Sequence, residues 1–293
     1  MLSYISYLAF RFFTFIIGLL PIGLLYKFSS FLSFLLRKVF KYRLHVISKN
    51  VSYAFPEKSK KEQLAIIEKA YTNLADIMLE SFKGFTTSPA TLKQQYEMVK
   101  PQFIDDWYKE KKNVVLLAGH LGNWEWATYV FPLSYPYKII GIVKSIKNKY
   151  VDRYANEKRM STGSMVIRLE ESRRKLVDTD LMPYVVVYVA DQNPTDTKNG
   201  IEVTFFGKKT LCLHGAEKFA KRNNTPVIYL SNERTARGHY RLVPTIISED
   251  PSKEDKDYIT QKFMSLLEQD IRKQPELWLW SHKRWKREID YNS

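Results

Sequence analysis

The chain has 293 residues, enough for one large domain with a sizeable core. Lys and Arg number 46 against 31 Asp and Glu, a formal charge of +15 that favours an anionic partner. A single cysteine, Cys212, excludes an intrachain disulfide and a cysteine-rich zinc module; with no Gly-rich phosphate loop either, no metal or nucleotide cofactor is expected.

Residues 1–36 carry only Arg11 and Lys27 as charges. The uncharged stretch 12–26 is short of the roughly 20 residues a membrane span needs, although both flanking charges can snorkel. No small-residue cleavage site follows it, so it does not read as a removable signal peptide. The next stretch, RKVFKYRLHVISK, is a basic flank of the kind that marks the cytoplasmic side of a bilayer and attracts anionic lipid. Residues 1–40 therefore read as a hydrophobic, membrane-associated helical segment, either spanning or lying in the interface, and 41–293 as one further domain. The competing reading is a core helix of a soluble domain.

Residues 59–82 repeat apolar side chains at helical spacing, and Ser59 with Glu62 makes a capping-box start. From about 112 the chain alternates. Strands are predicted at 113–118, 138–143, 183–190, 202–206, 226–231 and 240–245. Helices are predicted at 122–133, 149–161, 168–178, 213–223 and 254–273. This alternation defines an α/β fold with a central, mostly parallel or mixed sheet flanked by helices.

The stretch AGHLGNWEWA places His120 where the apolar run NVVLLAG ends, and Glu125 in the first turn of the helix that follows. Strand ends entering helices are where open α/β sheets hold their chemistry. A histidine can take a proton near neutral pH, and a carboxylate on its other ring nitrogen fixes the tautomer and stabilises the imidazolium. Glu125 is the expected partner. The same spacing also suits a histidine hydrogen-bonded only for structure. Asp191 ends another apolar strand, YVVVYVAD, on the same edge, where it can position a substrate group, hold an arginine or start a turn.

HLGNWEWA resembles the H-x4-E motif of the late acyltransferases of lipid A biosynthesis. Further landmarks are similar in the family's order across roughly 43–286: RLHVISKNVSYAFPE, VVVYVADQNP, VTFFGKKTLCLHGAEKFA and PELWLWSHKRWK. The resemblance implies transfer of an acyl chain from acyl carrier protein to a hydroxyl of a lipid A precursor or related glycolipid, at the bacterial inner membrane with the catalytic domain facing the cytoplasm. His120 would be the general base, Glu125 its orienting partner and Arg168 an oxyanion donor, with Arg173 and Arg174 as alternatives. Asn123, Asp191, Gln192, His214 and Arg284 would bind substrate. The family's two threonines after F-F-G fall here on Cys212 and His214, which puts the acceptor's identity, more than the reaction, in question. Cys212, between Leu211 and Leu213, reads as a small buried hydrophobe. His45 and His239 read as surface residues, and His282 as a brace or a phosphate contact.

An aminolipid acceptor is the alternative that keeps the chemistry. A basic nucleic-acid- or lipid-binding protein is the non-enzymatic alternative; nucleic acid is not expected as a partner, because no nucleic-acid motif supports it.

Overall fold

The computed structural model describes residues 2–172, 183–194, 197 and 200–291. Its centre is a seven-stranded sheet of β1 (Tyr96–Met98), β2 (Val114–Ala118), β3 (Lys138–Val143), β4 (Met165–Arg168), β5 (Tyr184–Val189), β8 (Val227–Ala236) and β9 (His239–Ser248), ordered β1-β9-β8-β2-β5-β3-β4. The run β8-β2-β5-β3-β4 is parallel throughout, while β9 turns back antiparallel on β8 and carries β1 alongside it in parallel. The fold is thus α/β with a mixed sheet. β6 (Gly200–Phe205) and β7 (Lys208–Leu213) form a separate antiparallel hairpin.

The central strands read as unbroken apolar runs because both faces of the sheet are covered. Val115 and Leu117 join a core shared with α10 (Tyr258–Lys273) and the C-terminal tryptophans, whereas Val114 and Leu116 join the opposite core with Trp107, Trp126 and Tyr129. Two further helices frame the site: α7 (Trp124–Val130) and α8 (Lys149–Met160).

The N-terminal segment is a pair of helices, α1 (Leu2–Leu19) and α2 (Ile22–Phe34), parted by Pro21. Both lie against the long α4 (Lys60–Gly84), which begins with the expected Ser59–Glu62 capping box. Phe13 of α1 meets Phe82 of α4 edge-on and Phe10 meets it at a tilt. The outer face of α1 stays bare: Leu2, Ile5, Leu8, Phe12, Phe15 and Leu19 are all exposed. At about 1.5 Å per residue α1 is about 27 Å long, close to the roughly 30 Å hydrocarbon core of a bilayer. By length and composition it is apolar enough to cross one.

The predicted strands are present with shifted ends, but β1, β4 and β7 were not anticipated. The helix expected over 168–178 is replaced at its start: Arg168 is the last residue of β4 and a 3₁₀ turn, Leu169–Glu171, follows. Residues 173–182, with Arg173 and Arg174, lie outside the described residues.

Candidate active site

β2 and β5 run parallel with Ala118 opposite Val189. Continuing that register two residues past each strand brings His120 beside Asp191. The ring Nδ1 lies 2.6 Å from Asp191 Oδ1, and the His120 backbone N–H donates to Asp191 Oδ2 at 3.0 Å. Trp278 Nε1 donates to the same Oδ2 at 2.9 Å. Asp191 is buried, and burial alone would raise its pKa. The His120 charge, the bonds from His120 and the Trp278 N–H outweigh that and hold it at about 2. For His120 burial pulls the pKa down, but the Asp191 carboxylate prevails and the net shift is upward.

The His120 loop is pinned from outside by the closing segment of the chain. Leu121 bridges Trp278, Gly122 N–H donates to Leu277 O at 3.1 Å, and Leu279 N–H donates to His120 O at 3.1 Å. Gly122 turns at φ +56°, and a Cβ there would sit 3.0 Å from Asn232 O, so a side chain is excluded on both counts. The ring of Trp124 stands edge-on to His120, with centroids 5.1 Å apart. With Nδ1 committed to Asp191, Nε2 is the acceptor nitrogen of the ring. Gln192 Nε2 lies 3.4 Å from it, within reach to donate a hydrogen bond.

The expected pairing of His120 with Glu125 is corrected. Asp191 holds the imidazole, and Glu125 instead accepts from Arg159 Nη2 at 2.9 and 3.2 Å. Glu125 still acts on His120 through its charge, which helps to raise the imidazole pKa. Arg159 went unnoticed in the sequence, where nothing separates it from other charges of α8. Arg168 is not beside the base. β4 stands three strands from β2, about 14 Å at the usual spacing. Its guanidinium, half exposed, donates to Asp152 at 3.0 Å and to Ser145 at 3.1 Å.

Two other expected substrate ligands have structural duties. Asn123 is fully buried; its Oδ1 accepts the Trp126 N–H at 2.9 Å as the cap of α7, and its Nδ2 donates to Glu80 at 2.7 Å. Glu80 also accepts from Tyr26 of α2 and Tyr240 of β9, each at 2.7 Å. Arg284 is likewise fully buried, donating to Leu211 O at 2.7 Å and Thr210 Oγ1 at 3.2 Å, so it presents no open face to a substrate. His282 accepts the Asn193 N–H on Nε2 at 3.1 Å, and burial holds its pKa down at about 4. It is a neutral brace. His45 and His239 are exposed, as expected.

Cys212 is fully buried with its thiol on Ala190 O at 3.3 Å, and burial pushes its pKa up to about 11, far from a nucleophilic thiolate. His214 lies 3.4 Å from Asp257 and 3.8 Å from Glu217, and these three place their ligand atoms within 4.8 Å of one another. Glu217, however, already accepts from the Thr260 N–H at 2.9 Å and hydroxyl at 2.7 Å, closing the start of α10, and has Lys221 3.5 Å from its other oxygen. The cluster is a helix cap with its counter-charges.

A strand-edge imidazole backed by a buried carboxylate, with Nε2 left as the acceptor nitrogen, is the arrangement of an α/β protein suited to general-base chemistry. Which branch of that class is settled by comparison. The sequence matches the family described as Bacterial lipid A biosynthesis acyltransferase over residues 1–287, and the chain belongs to that family. It is 20% identical over 269 residues to the lipid A biosynthesis lauroyltransferase of Escherichia coli K12, covering 91% of this chain and 87% of that protein. It is 19% identical over 256 residues to a lipid A biosynthesis acyltransferase of Haemophilus influenzae Rd, covering 86% and 80% respectively. The chain is accordingly an acyltransferase enzyme of lipid A biosynthesis.

Proposed function

We propose that this enzyme is membrane-associated and moves a fatty acyl chain from acyl carrier protein to a hydroxyl of a lipid A precursor, with His120 as the general base. The observation that carries the reading is the His120–Asp191 pair at 2.6 Å, which fixes the proton on Nδ1 and leaves Nε2 as acceptor. The acceptor hydroxyl gives its proton to Nε2 as its oxygen bonds to the thioester carbon. The tetrahedral oxyanion then expels the carrier's thiolate, which takes the proton back from the imidazolium. Asp191 stabilises that imidazolium without itself being protonated.

Hydrogen-bond donors are needed where the oxyanion develops. Arg159, fixed by two bonds that it donates to Glu125, is better placed for this than the half-exposed Arg168. Gln192 positions the acceptor hydroxyl. The net charge of +15 suits both an acidic carrier and an anionic inner leaflet.

The test follows a labelled acyl chain from acyl carrier protein to lipid, the acceptor being read by mass spectrometry of total lipids with and without the gene. Base catalysis of this kind is worth about 10² to 10⁴ in rate. His120→Ala should therefore abolish detectable turnover with an unchanged circular dichroism spectrum; a folded variant with near-normal turnover overturns the mechanism.

A further inference from the structure

We propose that residues 144–150, with the N-terminal end of α1, form a docking surface for the headgroups of an anionic bilayer. The inference rests on the membrane-associated reading above and says which part of the catalytic domain meets the lipid. The segment KSIKNKY leaves β3 and enters α8, and Lys144, Ile146, Lys147, Lys149 and Tyr150 are all exposed. None of the three lysines has a carboxylate partner among the described residues, and Lys149 rests its ammonium 5.3 Å from the ring centre of Tyr150.

The segment is joined to α1. Asn148 Nδ2 donates to Ser3 O at 2.8 Å, and the ring of Tyr150 meets those of Tyr4 at 5.2 Å and Tyr7 at 5.9 Å. Lysines and tyrosines collected at one end of a bare apolar helix are the composition of a membrane–water interface, where amphipathic rings sit at headgroup level and ammonium groups meet lipid phosphates. The exposed Ile146 amid the lysines, and the unbroken passage onto the apolar face of α1, fit a bilayer better than the surface of an acidic folded protein. β3 neighbours β5, so the surface lies on the same edge of the sheet as Asp191 and His120. A bilayer docked there offers its headgroups to the edge that carries the base.

The experiment uses the full chain with Cys212→Ser and a single new cysteine carrying an environment-sensitive nitrobenzoxadiazole dye. The protein is placed in phosphatidylcholine nanodiscs with or without phosphatidylglycerol. Dye on Ile146→Cys should shift to the blue and be quenched by lipids spin-labelled near the headgroup when phosphatidylglycerol is present. Dye on Lys253→Cys, an exposed site shortly before α10, should do neither. The proposal is overturned if dye at 146 stays as wet as at 253 while dye on Phe12→Cys is quenched. It is equally overturned if dye at 146 is shielded only when acyl carrier protein is added. Replacing Lys144, Lys147 and Lys149 together by Gln should reduce the preference for phosphatidylglycerol over phosphatidylcholine vesicles about 10²-fold, at roughly fivefold per lysine (about 1 kcal/mol each). An unchanged preference also overturns it. Turnover on a detergent-dispersed acceptor is measured in parallel: retained turnover with failed docking removes only this inference, whereas lost turnover in the wild-type chain removes the enzymatic reading beneath it.

Discussion

Replacing Asp191 by Asn tests the assignment of the orienting carboxylate, and its outcome follows from a count of donors. Asp191 faces three: the His120 ring N–H on Oδ1, and the His120 backbone N–H with the Trp278 indole N–H on Oδ2. Asparagine has one oxygen. Aimed at the ring, it leaves an NH₂ against two buried donors, each costing about 1–3 kcal/mol when unsatisfied. Turned over, the oxygen satisfies those two donors and the NH₂ meets Nδ1, which must then be the acceptor. The second arrangement wins by roughly one hydrogen bond, and it moves the ring proton to Nε2, the nitrogen needed as base. The productive tautomer is reduced by a factor on the order of 10 to 100 for that bond alone. Loss of the charge opposite the imidazolium adds to this, for a total of about 10³- to 10⁴-fold in kcat, the size of effect known for the equivalent change in a serine protease triad. The assay is transfer of labelled acyl chain, with nitrogen NMR of the imidazole reporting the tautomer and circular dichroism reporting the fold. Asp191→Asn with near-normal turnover and the proton still on Nδ1 would refute the argument.

The remaining outcomes can be checked with the same assay. Because Asp191 raises the pKa of His120, kcat/KM should climb with pH through a value above the ordinary histidine value. Any turnover left in Asp191→Asn should show this acid limb displaced to lower pH, because the imidazole has lost the charge that favours its protonation. Glu125→Ala and Arg159→Ala should each lower kcat by about 10²-fold or more, and the double variant should be little worse than either, since the two side chains act as one unit. Arg168→Ala should change kcat by less than about tenfold, as expected of an exposed ion pair. Cys212→Ser should stay active and no acyl group should be recovered on the cysteine, because the thiol is buried and held protonated.

The sheet edge was legible because apolar runs ending in a single polar residue, NVVLLAGH and YVVVYVAD, mark where buried strands surface. What the one-dimensional pattern lacked was register. His120 and Asp191 are 71 residues apart, and only the pairing of Ala118 with Val189 makes them neighbours. Glu125 was read as the partner because it is near in sequence, but the first turn of α7 carries its carboxylate to Arg159 on α8. The predicted helix over 168–178 begins at Arg168, yet Met165–Arg168 pairs with β3 and stops after four residues, too short a strand to leave an alternating signature. The motif residues Asn123 and Arg284 are expected as substrate ligands, and the structure gives both buried partners within the protein. A fully buried polar side chain looks the same in sequence whether it caps a helix or grips a substrate.

Glu80 has a consequence for how such an enzyme can be rebuilt. Its carboxylate is shared between Tyr26 on the second N-terminal helix and Asn123, the residue that caps the helix after the His120 loop. Burial pushes its pKa up, against the donors that favour the charged form, so withdrawing one donor disturbs an already costly group. The two N-terminal helices are therefore not a detachable leader. A chimaera that exchanged residues 1–36 for an unrelated hydrophobic leader would keep an apolar N-terminus, yet would leave the floor of the His120 loop unpinned. Grafting for expression or relocation should keep Tyr26 together with Glu80, as one would keep a keystone with its arch.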